Sequence, residues 1–275
     1  MKNNSSNIVM SKNTFLVDRL IFLNVFSDLK EHKLRVYLLM CRVVGAQNGV
    51  FFMSIPQIEK EINISEHYVR DALSFLESNY FIKKVGKRVQ SNVYIVSTVP
   101  FYESSSKAYI SNEKISRDRF QQKNYQHGYC EMPIEILKGS ILRDKTKWTD
   151  RKIKILGLLY LFHWIDMYGG VDPVAIHGTS NSIYVSEFIT SLVGCSSMEV
   201  VQTIRWLINE RYAFRVKVVY RANQNSCEAE KQFIGDLVNV IIQPGDEVIT
   251  VIRLSCIPEI KSMNAIQRTR GLITL

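Results

Sequence analysis

Within FIKKVGKRV, residues 81–89, Lys83, Lys84, Lys87 and Arg88 set four cations in a short β-prone stretch with no acid among them. FIKKV and SNVYIVS read as antiparallel strands joined by GKRVQ, so the cations gather on or beside a hairpin tip. The chemistry on offer is phosphate binding, because a lysine or arginine that neutralises a phosphate releases its condensed counterion. A solvated edge strand guarded by charge against pairing would carry the same residues. Just upstream, EHYVRDALSFLESN places Val69, Leu73 and Leu76 at i, i+4 and i+7, with Ala72 allowing close approach. The opposite face turns Glu66, His67, Arg70, Asp71 and Ser74 to solvent or a ligand. Catalytic spacing is missing: there is no P-loop, GxGxxG, HExxH or His-hydrophobic-His motif. The histidines His32, His67, His127, His163 and His177 stand apart, and Glu77, Glu210 and Asp236 are not paired for acid and base work. His163, inside an apolar stretch, reads as a hydrogen-bonded core histidine. The expectation is a non-enzyme with no cofactor and no metal.

The segments that would hold these side chains occur twice. Residues 54–85, SIPQIEKEINISEHYVRDALSFLESNYFIKKV, are echoed about 131 positions later by 184–218. Each reads as short helix, tight turn, longer helix, then strand. In the first copy Pro56 follows Ser54 into a helix burying Ile58 and Ile62, Asn63 suits the turn, and Ser65 is a good N-cap. In the second, Gly194 permits the turn and Ser196 or Ser197 caps MEVVQTIRWLINE. There Val200, Ile204 and Leu207 repeat Val69, Leu73 and Leu76, Trp206 stands for Phe75, and Ser196 for Ser65. One inserted residue in the turn is taken as needed to align the copies.

Length and charge bound the setting. The chain has 275 residues, 46% hydrophobic, 22% charged, with a net charge of +9 and a pI near 9.2. That suffices for two cores of roughly 100 to 130 residues each and favours a polyanionic partner. Five scattered cysteines, Cys41, Cys130, Cys195, Cys227 and Cys256, contain no CxxC pair, which points to a reducing cytoplasm rather than a disulfide framework or zinc site. The polar start MKNNSSNIVMSKNTF lacks a signal-peptide core, and IKILGLLYLFHWIDM, 153–167, is too short to span a bilayer and reads as a buried helix.

Around the repeats, TFLVDRLIFLNVFSDL is an apolar lead-in of open character, EHKLRVYLLMCRVV a helix with Leu34, Tyr37, Leu38 and Cys41 at helical spacing, and VFFMS a short strand. Residues 99–126 read as a linker, whose Phe101, Tyr102, Tyr109 and Phe120 argue that it packs on something. Beyond it, Pro133 in GYCEMPIEILKGSIL begins a short helix burying Ile134 and Leu137. Arg143, Lys145, Lys147, Arg151, Lys152 and Lys154 then crowd the entry of the apolar helix, with Thr149 as N-cap; phosphate contact and simple solubility both account for them. The second hairpin reads as AFRVKVVYR and DLVNVIIQP flanking the insert ANQNSCEAEKQFIG, with EVITVIRLS a further strand. Its Arg215, Lys217 and Arg221 are within reach of backbone phosphates.

On these caps, stripes and hairpins the chain resembles the winged helix-turn-helix superfamily over roughly 30–97 and 130–220, in the tandem form found in plasmid and phage replication initiators and bacterial regulators. The fold expected is α+β: two tandem winged helix-turn-helix domains, mainly α with small antiparallel β-hairpin wings. They span 1–98 and 127–275, joined by 99–126. The resemblance implies that Ser65, Glu66, His67, Arg70 and Asp71 begin one groove-facing recognition helix and Ser197, Met198, Gln202 and Arg205 the other. There Arg would fork onto guanine, Gln pair with adenine and Ser hold phosphate. Neither helix is rich in Lys or Arg, so phosphate affinity is expected from Lys84, Lys87, Arg88 and the 143–154 run. The function implied is sequence-specific binding of double-stranded DNA by a homodimer: a transcriptional regulator at an operator, or a replication initiator at origin repeats, recruiting the matching machinery. A winged-helix scaffold that binds proteins is the remaining alternative.

Overall fold

A computed structural model describes residues 14–18, 21–22, 31–46, 50–79, 81–89, 91–96, 129–137, 141–173, 187–222 and 231–255. The expected linker, 99–126, lies outside them, as do Cys227 and Cys256. The fold is mixed, with helices and small antiparallel sheets, in keeping with the α+β expectation. The described residues group into two compact units that divide between Ile153 and Lys154, rather than at the expected 126/127 boundary.

The first unit opens with the lead-in as strand β1 (Thr14–Asp18), every residue of it buried. Helix α1 (Glu31–Ala46) follows, then β2 (Val50–Phe51), α2 (Ile55–Ile62), α3 (Glu66–Ser78), β3 (Ile82–Arg88) and β4 (Ser91–Val96). Leu34, Val36 to Cys41 and Val44 of α1 are all buried, so this helix is enclosed on more sides than its expected stripe required. Tyr37 packs its ring on Phe81 at 5.0 Å, while its hydroxyl accepts the Asp18 N–H at 3.3 Å. Burial of each such side chain contributes about 1.5–3 kcal/mol. The sheet runs β2-β4-β3, with β4 central.

Strand β5 (Tyr129–Pro133) and helix α4 (Ile134–Leu137), expected to open the second domain, belong to this first unit. β5 pairs antiparallel with β1 over its whole length, Phe15 opposite Met132 and Val17 opposite Cys130. Pro133 ends β5 and α4 starts at the next residue, with Ile136 and Leu137 buried. The following turn is tied to α1 by Arg35, which is 1% exposed. Its guanidinium donates to Asp150 Oδ1 at 2.8 Å and to the carbonyls of Ile141, Leu142 and Trp148.

The apolar stretch 153–167 is not one helix. α5 (Asp150–Leu161) stops, then come β6 (His163–Trp164), α6 (Ile165–Tyr168) and β7 (Gly170–Val171), β6 and β7 pairing antiparallel. Gly169 then ends α6 in the left-handed region at φ 65°, where a Cβ would meet Phe233 at 2.6 Å and Val218 at 2.9 Å. The rest of the second unit is α7 (Glu187–Val193), α8 (Ser197–Asn209), β8 (Ala213–Ala222), β9 (Lys231–Asp236) and β10 (Glu247–Leu254), in the order β10-β8-β9. The expected strand EVITVIRLS is β10. The expected strand DLVNVIIQP is not formed: β8 pairs instead with Lys231–Asp236, all but Asp236 from within the supposed insert, and Leu237–Asn239 make a 3-10 turn. Alternating aliphatics imitated a strand, but the ladder beside β8 was already occupied on both edges.

Candidate nucleic-acid interface

The α2–α3 pair is built by local signals. Ser54 forms a capping box with Gln57: the Ser54 N–H donates to Oε1 at 2.8 Å, and the Gln57 N–H donates to Ser54 Oγ. Asn63 turns the chain in the left-handed region, at φ 53°. Ser65 is the N-cap residue of α3, yet its side chain makes no capping bond. Val69, Ala72, Leu73 and Leu76 are buried, while Ser65, Glu66, His67, Arg70 and Asp71 are exposed.

Three of these charges are already engaged. Arg70 pairs with Glu66 one turn back, its Nε at 2.7 Å from Oε1. Asp71 accepts from His32 Nε2 at 2.5 Å and lies 3.6 Å from Lys33 Nζ. The His32 hydrogen bond, with the Lys33 charge adding to it, holds the Asp71 carboxyl below its ordinary pKa. Asp71 thus joins α3 to α1, a structural role that its helix phase did not announce. Lys33 also stands over the Phe75 ring, 4.3 Å from its centre, and His32 lies 4.8 Å from Tyr68, which is 48% exposed. Tyr68 was missed as a surface group; its place beside His67 at the start of the helix was the available signal.

In the hairpin, every residue from Lys83 to Val89 is exposed, including all four cations. The turn is tighter than expected, since β3 continues through Gly86-Lys87-Arg88 and Arg88 pairs with Ser91. A register shift at Lys84/Gly86 marks a bulge. Arg88 stacks its guanidinium over the Phe52 ring at 5.0 Å, which fixes a long side chain at the hairpin end. Phe52 was unforeseen because it lies 36 positions upstream. The charges separate: α3 has Arg70 against Glu66, Asp71 and Glu77, whereas the hairpin has cations only.

Of the 143–154 run, Arg143, Lys145, Lys147 and Arg151 are exposed. Asp144 caps the turn by accepting the Thr146 and Lys147 N–H groups, and Lys152 Nζ donates to the Lys147 carbonyl at 2.8 Å. Thr149 Oγ1 accepts the Lys152 N–H at 3.4 Å, as an N-cap would. Burial lowers the Lys154 ammonium to a pKa of about 8, so it is set apart from the exposed cations.

The second helix pair repeats the first without a gap, correcting the expected insertion. Gly194 at φ 71° falls 131 positions after Asn63, Ser196 after Ser65, and buried Ile189 and Val193 after Ile58 and Ile62. Even the closing backbone bonds match: the Phe81 N–H donates to the Leu76 carbonyl, and the Tyr212 N–H to that of Leu207, both at 2.8 Å. Ser196, not Ser197, is the N-cap, in a capping box with Glu199. Ser197, Met198, Gln202 and Arg205 are exposed on α8, Met198 at 63%.

Arg221 is placed differently from its expected role. It makes a bidentate pair with Asp246, both contacts at 2.7 Å, and this guanidinium with the Gln243 N–H holds the Asp246 carboxyl down at a pKa of about 2. Arg215 and Lys217 remain exposed on β8. His163 is hydrogen-bonded as expected but half-buried rather than in the core: its Nε2 accepts the Leu254 N–H at 3.4 Å, and desolvation, then nearby Arg253, lowers it to about 4. Among the described residues no helix is long and apolar enough to cross a membrane. Compared with protein-family models, curated proteins and solved structures, the chain matches none.

Proposed function

We propose that this chain binds double-stranded DNA through tandem winged helix-turn-helix units, with the β3–β4 hairpin as its principal phosphate contact. One observation carries the reading: an unbroken run of exposed residues, Lys83 to Val89, holds four cations and no acid directly after a helix whose outer face is open. The element order helix, strand, helix, helix, strand, strand in the first unit supports a winged helix. The ungapped repeat of its helix pair supports a second. The second unit departs in taking its third strand, β10, from after the hairpin, where the first takes β2 from before α2. Affinity would come from the hairpin, while Ser65, His67, Arg70, Gln202 and Arg205 discriminate among base edges. With Arg70 already paired to Glu66, direct readout there requires exchanging one charge-assisted bond for another.

The biological role proposed is regulation at an operator by a homodimer, whose two-fold symmetry would match an inverted repeat. Lys87→Ala with Arg88→Ala tests the chemistry. Loss of two phosphate contacts lowers the slope of log affinity against log salt by about 2. An unchanged slope and affinity, measured by fluorescence anisotropy on mixed-sequence duplex, would overturn the reading. Selection of bound genomic fragments then separates roles, since a promoter-overlapping inverted repeat marks a regulator and an array of direct repeats an origin.

A further inference from the structure

The connection from β9 to β10, residues 237–246, contains the most exposed valine and isoleucine side chains among the described residues of the second unit: Val238 at 89%, Ile241 at 88% and Ile242 at 54%. This loop is held at both ends. At its start Asp236 takes two hydrogen bonds from Arg253, at 2.8 and 2.6 Å, and the Arg253 Nε donates to the Gly169 carbonyl. At its end Asp246 takes two from Arg221 and one from the Gln243 N–H. Between these clamps Val240 turns inward, close enough to Gly235 that a Cβ there would meet it at 2.9 Å. Apolar side chains that a braced loop keeps in water cost solvation energy, which argues for an occupant.

The chemistry of the loop selects that occupant. Its outward residues mix aliphatic and amide groups, Val238, Asn239, Ile241, Ile242 and Gln243, all exposed, and Pro244 follows. Its flanking acids are neutralised by arginine. Side-chain alternation puts Lys217 and Arg215 on the same face of β8 as Val219, which pairs with Gly235, the glycine under Val240. Both cations are exposed and have no ion pair among the described residues. A bilayer or an apolar protein surface would strand the amides without partners. The minor groove of a duplex offers acceptors for them, unstackable base steps for the isoleucines and phosphates for the cations.

We propose that the 237–246 loop is a minor-groove wedge, with Ile241 and Ile242 entering a base step and kinking double-stranded DNA while Arg215 and Lys217 hold the adjoining backbone. The wedge rests on the duplex-binding reading, and the experiment separates the two. Full-length protein is titrated at low salt into an A·T-rich duplex of about 24 base pairs, with a donor and acceptor dye at its ends and 2-aminopurine beside a central TA step, the most easily unstacked. The unaltered chain raises both energy transfer and 2-aminopurine fluorescence. Ile241→Ala with Ile242→Ala keeps the thermal melt of the unaltered chain but loses both signals and binds about fivefold more weakly. Ile241→Leu with Ile242→Leu, which keeps the bulk, retains them.

Binding by the unaltered chain without bending or unstacking, or an alanine variant that bends like it, overturns the wedge and leaves duplex binding standing. So does an alanine variant whose altered property is self-association in sedimentation or binding to anionic vesicles. No binding to any duplex by the unaltered chain overturns the duplex reading, and the wedge falls with it.

Discussion

Gly194 and Asn63 hold corresponding positions in the two helix pairs and the same left-handed backbone, so each pair depends on one residue that tolerates positive φ. A Cβ at Gly194 would meet nothing within 4 Å, leaving backbone conformation as the only cost of a side chain there. Gly194→Ala is therefore expected to destabilise the second unit by about 1 kcal/mol and Gly194→Asn by clearly less, as read from urea midpoints. Such residues were legible because the turn they make is local. Asp71 and Arg221 were not. Both sit on an outward phase of a helix or strand, yet each is occupied by a partner, His32 or Asp246, at least 25 positions away. The same distance hid Phe52 beneath Arg88, the contact that aims a hairpin cation.

Elements were readable in proportion to how far their stability is local. α2, α3 and α8 carry caps and a stripe at helical spacing, and each formed within a residue or two of expectation. DLVNVIIQP had strand composition without a strand partner, and 153–167 had helix composition yet leaves the helix at His163–Trp164, which pair with Gly170–Val171. The contact between α1 and the 141–150 turn turns on one residue. Arg35→Ala would leave Asp150, 12% exposed in its side chain, and three carbonyls without their shared donor. A loss of about 3–5 kcal/mol is expected, with Arg35→Lys intermediate because it keeps the charge but only part of the fork, checked by urea unfolding. If Arg35→Ala left the midpoint unchanged, the turn would owe nothing to this network.

At the scale of the molecule, acid should act first on the second unit. Half-buried His163 has a folded pKa of about 4 against an ordinary 6.5, so between these values the unfolded chain takes up a proton that the folded one refuses. Stability is then full above pH 6.5 and falls as pH drops toward 4, by up to about 3 kcal/mol. The lowered carboxylates Asp71, Asp236 and Asp246 act only below the ordinary Asp value of 3.8, which leaves the histidine window clear. His163→Gln should flatten the thermal midpoint across that window; an unchanged slope would mean that another group carries it.

The amino-acid order alone determined the two helix pairs, their turns and caps, and the acid-free basic hairpin, because each rests on neighbours within a few residues and on hydrophobic phase. Tertiary structure decided that β1 meets β5, that β9 displaces the more strand-like DLVNVIIQP, and that Arg221 is occupied while Arg215 and Lys217 stay open to solvent. Those outcomes depend on which distant segment fills a ladder edge or neutralises a charge. Segments far apart in the chain compete for each such place, and local pattern does not rank them.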